Sequence, residues 1–157
     1  MYENIVVGTD GSGTAGIAVQ RAIQLAKLTG ATLHIVHAYQ QLSMPDVALS
    51  AAAGGPTVDV YGVNAGIGAE SDRICDESLA AAERAGVKAE SRKRPGDPAE
   101  ALIEVAEEVG ADLIVVGNRG MSSVKRFMLG SVPNKVSHHC PCSLLIVDTT
   151  RARAGAR

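Results

Sequence analysis

Leu113-Ile114-Val115-Val116-Gly117 is an uninterrupted apolar run closed by glycine. A run of this kind reads as a strand covered on both faces, the mark of a parallel sheet. The same grammar recurs on either side of it. Ile5-Val6-Val7-Gly8-Thr9, Thr32-Leu33-His34-Ile35-Val36-His37-Ala38 and Ser143-Leu144-Leu145-Ile146-Val147-Asp148 are rich in branched apolar residues, and Val87–Arg92 is a weaker example. Helical periods fill the intervals. Ser12 is placed to cap a helix whose Ala15, Ala18, Val19, Ala22, Ile23 and Ala26 make one apolar stripe, stopped at Gly30. A second helix is expected over about 70–85, with Ile74, Ser78, Leu79, Ala82 and Ala85 facing inward. Asp97-Pro98-Ala99-Glu100 opens a third with Asp at the N-cap, Pro at the first position and Glu at the third. Its stripe is Leu102, Val105, Ala106 and Val109, and a fourth helix is expected near 131–139. Five strands alternating with four helices predict an α/β fold around a mainly parallel, doubly wound sheet. An eight-fold barrel does not fit this length.

The chain has 157 residues, which predicts one domain. Its 46% hydrophobic and 20% charged residues are those of an ordinary globular protein and exclude disorder, fibre and coiled coil. Only 3% are aromatic, with no Trp and one Phe, so a stacking platform for single-stranded nucleic acid is not expected. A formal net charge of -2 supplies no field to attract DNA or anionic lipid. No apolar run approaches the roughly 20 residues of a membrane span, and Met1–Val7 lacks the basic start of a secretion signal. Cys75, Cys140 and Cys142 are too few for a disulfide framework, and a reducing, cytoplasmic setting is the expectation. Residues 40–66, rich in Ala, Gly and Pro and without a strong period, read as a long mobile loop. The domain is expected over 1–148, with 149–157 a flexible basic tail.

Ligands of open α/β sheets bind beyond the carboxyl ends of the strands, where the strand order reverses. Two loops suit that place. Gly8-Thr9-Asp10-Gly11-Ser12-Gly13 follows the first strand, but its glycines run opposite to the dinucleotide fingerprint and Asp10 stands where a pyrophosphate would sit. No G-x-x-x-x-G-K-[ST] phosphate loop occurs anywhere. After the fourth strand, Gly117-Asn118-Arg119-Gly120 is followed nine residues later by Gly130-Ser131 at a helix start. Glycine lets backbone N–H groups approach a ligand, and a helix N-terminus suits a phosphate. Ser131 adds a hydroxyl, and Lys125 and Arg126 add positive charge nearby. Each glycine alone would be read as a turn; their joint spacing points to a phosphate site.

That joint pattern, G-2x-G-9x-G-[S/T], resembles the signature of the universal stress protein family in its nucleotide-binding branch. Ile5–Ser12, His37 at the end of the second strand and His138-His139-Cys140-Pro141-Cys142 before the last strand agree with it. The resemblance spans residues 1–148 and is to a single-domain bacterial member. It implies a Rossmann-like doubly wound, five-stranded parallel sheet with helices on both faces. It also implies a cytoplasmic stress-response module that binds ATP, with cyclic AMP as the alternative ligand, as in some actinobacterial members. By that resemblance Asp10 closes over the nucleoside with Gly8 beneath it, and the backbone at Ala38 reads the adenine edge. Val116 and Gly117 flank base and ribose, and Gly117, Asn118, Arg119 and Gly120 wrap ribose and phosphates. Gly130, Ser131 and Val132 hold the phosphate chain, with a divalent metal such as Mg2+. A homodimer paired through the last strand, 143–148, is implied as well, which suits an apolar strand at a sheet edge.

Other features read more plainly. His138, His139, Cys140 and Cys142 match no standard zinc spacing and read as a helix end and turn, so no metal is assigned to them. Cys75 reads as a small buried hydrophobe and Arg92-Lys93-Arg94 as a solvated edge, not a nucleic-acid patch. The Gly117–Gly120 loop follows a strand, unlike the helix-joining loop of KH domains. Asp10 is the one carboxylate expected near the site, and His37 is either a packed strand residue or a general base. An evolved ATP hydrolase is therefore not expected. The remaining alternative is an interaction module that needs no nucleotide, against which the intact glycine signature argues.

Overall fold

A computed structural model of the chain describes residues 1–118 and 129–149. Five strands, β1 (Asn4–Gly8), β2 (Thr32–Tyr39), β3 (Ala89–Pro95), β4 (Leu113–Gly117) and β5 (Ser143–Val147), form one sheet. All neighbours are parallel and the order is β3-β2-β1-β4-β5. The order reverses between β1 and β4, so the loops leaving these two strands diverge and open a crevice at their carboxyl ends. Five helices are described: α1 (Gly13–Thr29), α2 (Met44–Ala52), α3 (Val60–Arg84), α4 (Pro98–Val109) and α5 (Ser131–His139).

The strands divide their side chains between two cores with the period of two that the pleat demands. Ile5, Val7, Leu33, Ile35, Leu113, Val115 and Val147 face α1 and α3, where Ala18, Val19, Ala22, Ile23, Ala26 and Ala82 are buried against them. Val6, Val36, Ile114 and Val116 face the other way, onto Ala99, Leu102, Val105 and Ala106 of α4 and Val136 of α5. Helices therefore cover both faces, and the doubly wound sheet inferred from the strand runs is the observed one. The stripe on α1 is buried as expected except for Ala15, which is only partly covered.

Residues 40–66 are not the single long loop expected. They hold all of α2 and the first turns of α3, which begins at Val60, ten residues before the predicted start. Local caps account for both helices. Ser43 accepts a hydrogen bond from Asp46 N, with Pro45 in the first turn, and Asp59 accepts one from Gly62 N. Asn64 clasps Leu42, its Oδ1 taking Leu42 N at 2.9 Å and its Nδ2 reaching Leu42 O at 3.0 Å. α2 buries none of its residues, so it carries no apolar stripe for a sequence reading to find.

The third strand runs through Pro95, three residues beyond its expected end, in register from Leu33↔Ala89 to Tyr39↔Pro95. An edge strand tolerates the missing N–H of proline. Its basic run is a solvated edge, as read: Arg92 pairs with Glu90 at 3.3 Å, Arg94 with Glu108 at 2.6 Å, and Lys93 with Asp72. Cys75 is buried, as expected. No helix among the described residues is long and apolar enough to cross a membrane.

Candidate functional site

A cleft lies at the switch point, enclosing about 820 Å3 of space when its open mouth is counted. Its floor and walls come from the carboxyl ends of three adjacent strands: Gly8, Thr9 and Asp10 from β1, Val36 and Ala38 from β2, and Val116 and Gly117 from β4. Three helix starts complete it, with Ala15 of α1, Pro98 and Leu102 of α4, and Ser131, Val132 and Pro133 of α5 after Gly130.

The β1 loop is held by short-range bonds. Gly11 N donates to Thr9 Oγ1 at 3.2 Å, and Ser12 N donates to Asp10 Oδ1 at 2.9 Å. Thr9 is tied to β2 at both ends of its peptide unit. Its N–H donates to Val36 O at 2.9 Å, and its carbonyl accepts from His37 Nδ1 at 2.9 Å. His37 is a buried strand residue, and its Nδ1 must carry a proton to donate this bond. A Cβ at Gly8 would stand 3.2 Å from Leu102 Cδ1, tighter than ordinary contact, in the floor of the cleft.

The helix starts differ in one respect. α1, α2, α3 and α4 are each capped by a side chain, from Ser12, Ser43, Asp59 and Asp97. α5 begins at Gly130 with no side-chain cap. Gly130 N is taken by Asn118 O at 2.9 Å, and Pro133 has no N–H, which leaves the amides of Ser131 and Val132 at the head of the helix. Those amides, the Ser131 hydroxyl and the positive end of the helix dipole converge on the cleft, an arrangement that accepts an anion. Among the described lining residues none is Lys or Arg, and Asp10, at the exposed rim, is the one charged group.

Of the residues singled out from the sequence, Gly8, Asp10, Ala38, Val116, Gly117, Gly130, Ser131 and Val132 are brought together in this cleft. Asn118 is not among its lining. Its Oδ1 instead accepts from Thr149 N at 3.1 Å and Thr149 Oγ1 at 2.8 Å, and its backbone N–H donates to Val147 O at 2.8 Å. Asn118 thus ties the end of β4 to the chain leaving β5. Arg119, Gly120, Lys125 and Arg126 lie outside the described residues, as do residues 150–157 of the tail. The sequence reading missed Thr9, Ala15, Val36, Pro98, Leu102 and Pro133. Val36 had a signal, since it shares a strand face with Ala38 two residues on. Pro98 and Leu102 had none, because which helix start overhangs the crevice depends on strand order. His138 and His139 are exposed at the end of α5, and no cluster of three or more metal-ligating side chains forms among the described residues.

A doubly wound sheet with an anion-accepting helix start at its switch point defines a class of small-ligand-binding α/β domain. The comparisons narrow that class. The universal stress protein family profile matches residues 1–148, and the chain belongs to that family. Universal stress protein YxiE of Bacillus subtilis is 34% identical over 147 residues, covering 94% of this chain and 99% of the relative. Universal stress protein Rv1636 of Mycobacterium tuberculosis is 39% identical over 150 residues, covering 95% and 98%. A universal stress protein solved in complex with cAMP superposes with a TM-score of 0.71 at 36% identity, covering 95% of this chain and 99% of that one.

Proposed function

We propose that this chain binds an adenine nucleotide in the switch-point cleft and acts as a regulatory module of the stress response, not as an evolved enzyme. The observation that carries the reading is the uncapped start of α5. Alone among the five described helices it leaves its first amides without a side-chain partner, and it does so where the cleft needs an anion-binding end. Val36, Ala38, Val116 and Leu102 make an apolar slot of the kind a purine base enters, and backbone at Ala38 and Gly117 offers polar edges beside it.

ATP is the ligand that the full glycine signature, Gly117 to Ser131, supports. Its phosphates would run toward Gly130, Ser131 and Val132. Mg2+ would arrive with the nucleotide, because the rim offers a single carboxylate, Asp10, and Mg2+ is commonly held by one or two carboxylates together with phosphate oxygens. Cyclic AMP is the second reading, and one observation favours it. A relative 36% identical to this chain was solved with cAMP. A single phosphate with one negative charge asks only for the α5 amides and the Ser131 hydroxyl.

The outer edge of β5 pairs with nothing within the described chain and exposes Leu145 to 37%, and we assign to it the pairing with a second copy. A cytoplasmic setting belongs to the same proposal. The testing experiment is a calorimetric titration of the nucleotide-free protein with ATP, with and without Mg2+, and with cAMP, beside the Gly117→Val variant. Binding of one of them to the wild type with loss in the folded variant is expected. Binding of neither at millimolar concentration would leave the interaction module as the better reading.

A further inference from the structure

Cys140 Sγ and Cys142 Sγ lie 4.0 Å apart, and both sit by Ser143 O, at 3.8 Å and 3.5 Å. Only Pro141 separates the two residues, and its ring fixes one of the few torsions between them. Cys140 is held extended, at φ -64° and ψ 125°, as a residue before proline prefers. Both side chains pack by one flank against the α4/α5 core and are half-buried, so the pair is oriented yet reachable.

The separation is informative. A disulfide needs sulfurs about 2.0 Å apart. At a metal–sulfur distance of about 2.3 Å, two thiolates stand roughly 3.8 Å apart on a tetrahedral ion and roughly 4.6 Å apart on a linear one. The observed 4.0 Å lies between, near trigonal geometry. A structural zinc site wants four protein ligands, whereas only two thiols converge here and no third His, Cys, Asp or Glu joins them among the described residues. Two soft sulfurs without further ligands suit a soft ion of low coordination number.

We infer that Cys140 and Cys142 form a dithiolate chelate for a soft monovalent cation, Cu(I), at the end of the sheet opposite the nucleotide cleft. Binding replaces two S–H bonds by two Cu–S bonds and releases two protons to solvent, with copper remaining Cu(I). The third position of the trigonal ion is left to an exogenous ligand such as a small thiol.

The test is anaerobic competition between the reduced, metal-stripped protein and the coloured Cu(I)–bicinchoninate complex. The wild type should remove one equivalent of copper per chain. Cys140→Ser and Cys142→Ser should each weaken uptake by more than the roughly 10–100-fold that losing an outer-shell partner costs, while Cys75→Ser should take copper normally. Equal uptake by either serine variant at position 140 or 142, or no uptake by the wild type, would overturn the site. A second measurement needs no variant: iodoacetamide labelling mapped by mass should find Cys140 and Cys142 protected together by Cu(I). Labelling of both at the same rate with and without Cu(I) would equally refute it.

Discussion

His37 Nδ1 donates to the carbonyl oxygen of Thr9 at 2.9 Å, and this bond joins the end of β2 to the loop that carries Asp10 into the cleft. Both partners are buried, so the carbonyl has no water to turn to if the ring is removed. His37→Phe should destabilise the protein by about 1–3 kcal/mol, the penalty for an orphaned buried acceptor. It should also weaken nucleotide binding, because Thr9 and Asp10 lose one of the two ties that position them. His37→Asn, whose amide nitrogen can stand near the place of Nδ1, should recover part of both. Urea unfolding and calorimetry check this, and unchanged affinity in the Phe variant would remove His37 from the positioning of the site.

Gly11 and Gly30 both have left-handed backbones, at φ 77° and 74°, but in different surroundings. A Cβ at Gly11 would meet Ile74 Cγ1 at 2.8 Å, whereas one at Gly30 meets nothing within 4 Å. Gly30→Ala should therefore cost about 1 kcal/mol from backbone strain alone. Gly11→Ala should cost more, about 2–4 kcal/mol, since overpacking adds roughly 1–3 kcal/mol to the same strain. Equal losses on denaturation would mean that Ile74 moves aside freely.

Two carboxylates make stability acid-sensitive. Asp97 caps α4, accepting from Ala99 N at 2.9 Å and Glu100 N at 3.0 Å, and Lys135 Nζ lies 3.3 Å away. The Glu100 N–H first, and then Lys135, hold its carboxyl below the ordinary range. Asp112 accepts from Glu3 N at 2.7 Å and Asn4 N at 3.0 Å, and those amides, Asn4 first, lower it likewise. A carboxyl depressed in the folded state binds fewer protons folded than unfolded. Its contribution is complete above the unfolded value, about 3.9, and is lost as pH falls through the folded value. The urea midpoint should decline as pH falls below about 4 through these carboxyls. That follows a separate decline beginning near 6.5 from His34, whose imidazole burial holds below its ordinary value. Asp97→Asn keeps a capping oxygen but no titrating charge, so its decline should be shallower. Asp97→Ala should lose about 1 kcal/mol at neutral pH.

Asn118 belongs to the framework of the site and not to its lining. Asn118→Ala removes the acceptor for Thr149 N and Thr149 Oγ1 and should cost about 1–2 kcal/mol. Its backbone carbonyl, which takes Gly130 N, is retained. Nucleotide affinity should consequently fall only a few-fold, far less than in Gly117→Val. A loss as large as that of Gly117→Val would place the Asn118 side chain against the ligand.

The strand runs and the α1 and α4 stripes were legible because burial on a regular element leaves a period in the residue order. Ile5-Val6-Val7 and Leu113–Val116 read as covered strands, and Ser12, Gly30, Asp97 and Gly110 mark the helix ends by local chemistry that acts within a few residues. The glycine spacing from Gly117 to Ser131 likewise survives as a linear pattern, and it was the family resemblance carried by that pattern that named eight residues of the cleft before any fold was known. α2 escaped because a helix that buries no residue writes no period into its sequence. Tertiary structure alone decided the remainder. Strand order put β1 beside β4 and made the crevice; α4 then overhung it with Pro98 and Leu102, residues distant in sequence from every motif. It also turned the Asn118 side chain away to Thr149 and aimed His37 at Thr9. These are contacts between segments about 30 residues apart or more, set by how the sheet is stacked, and nothing in the neighbouring sequence specifies them.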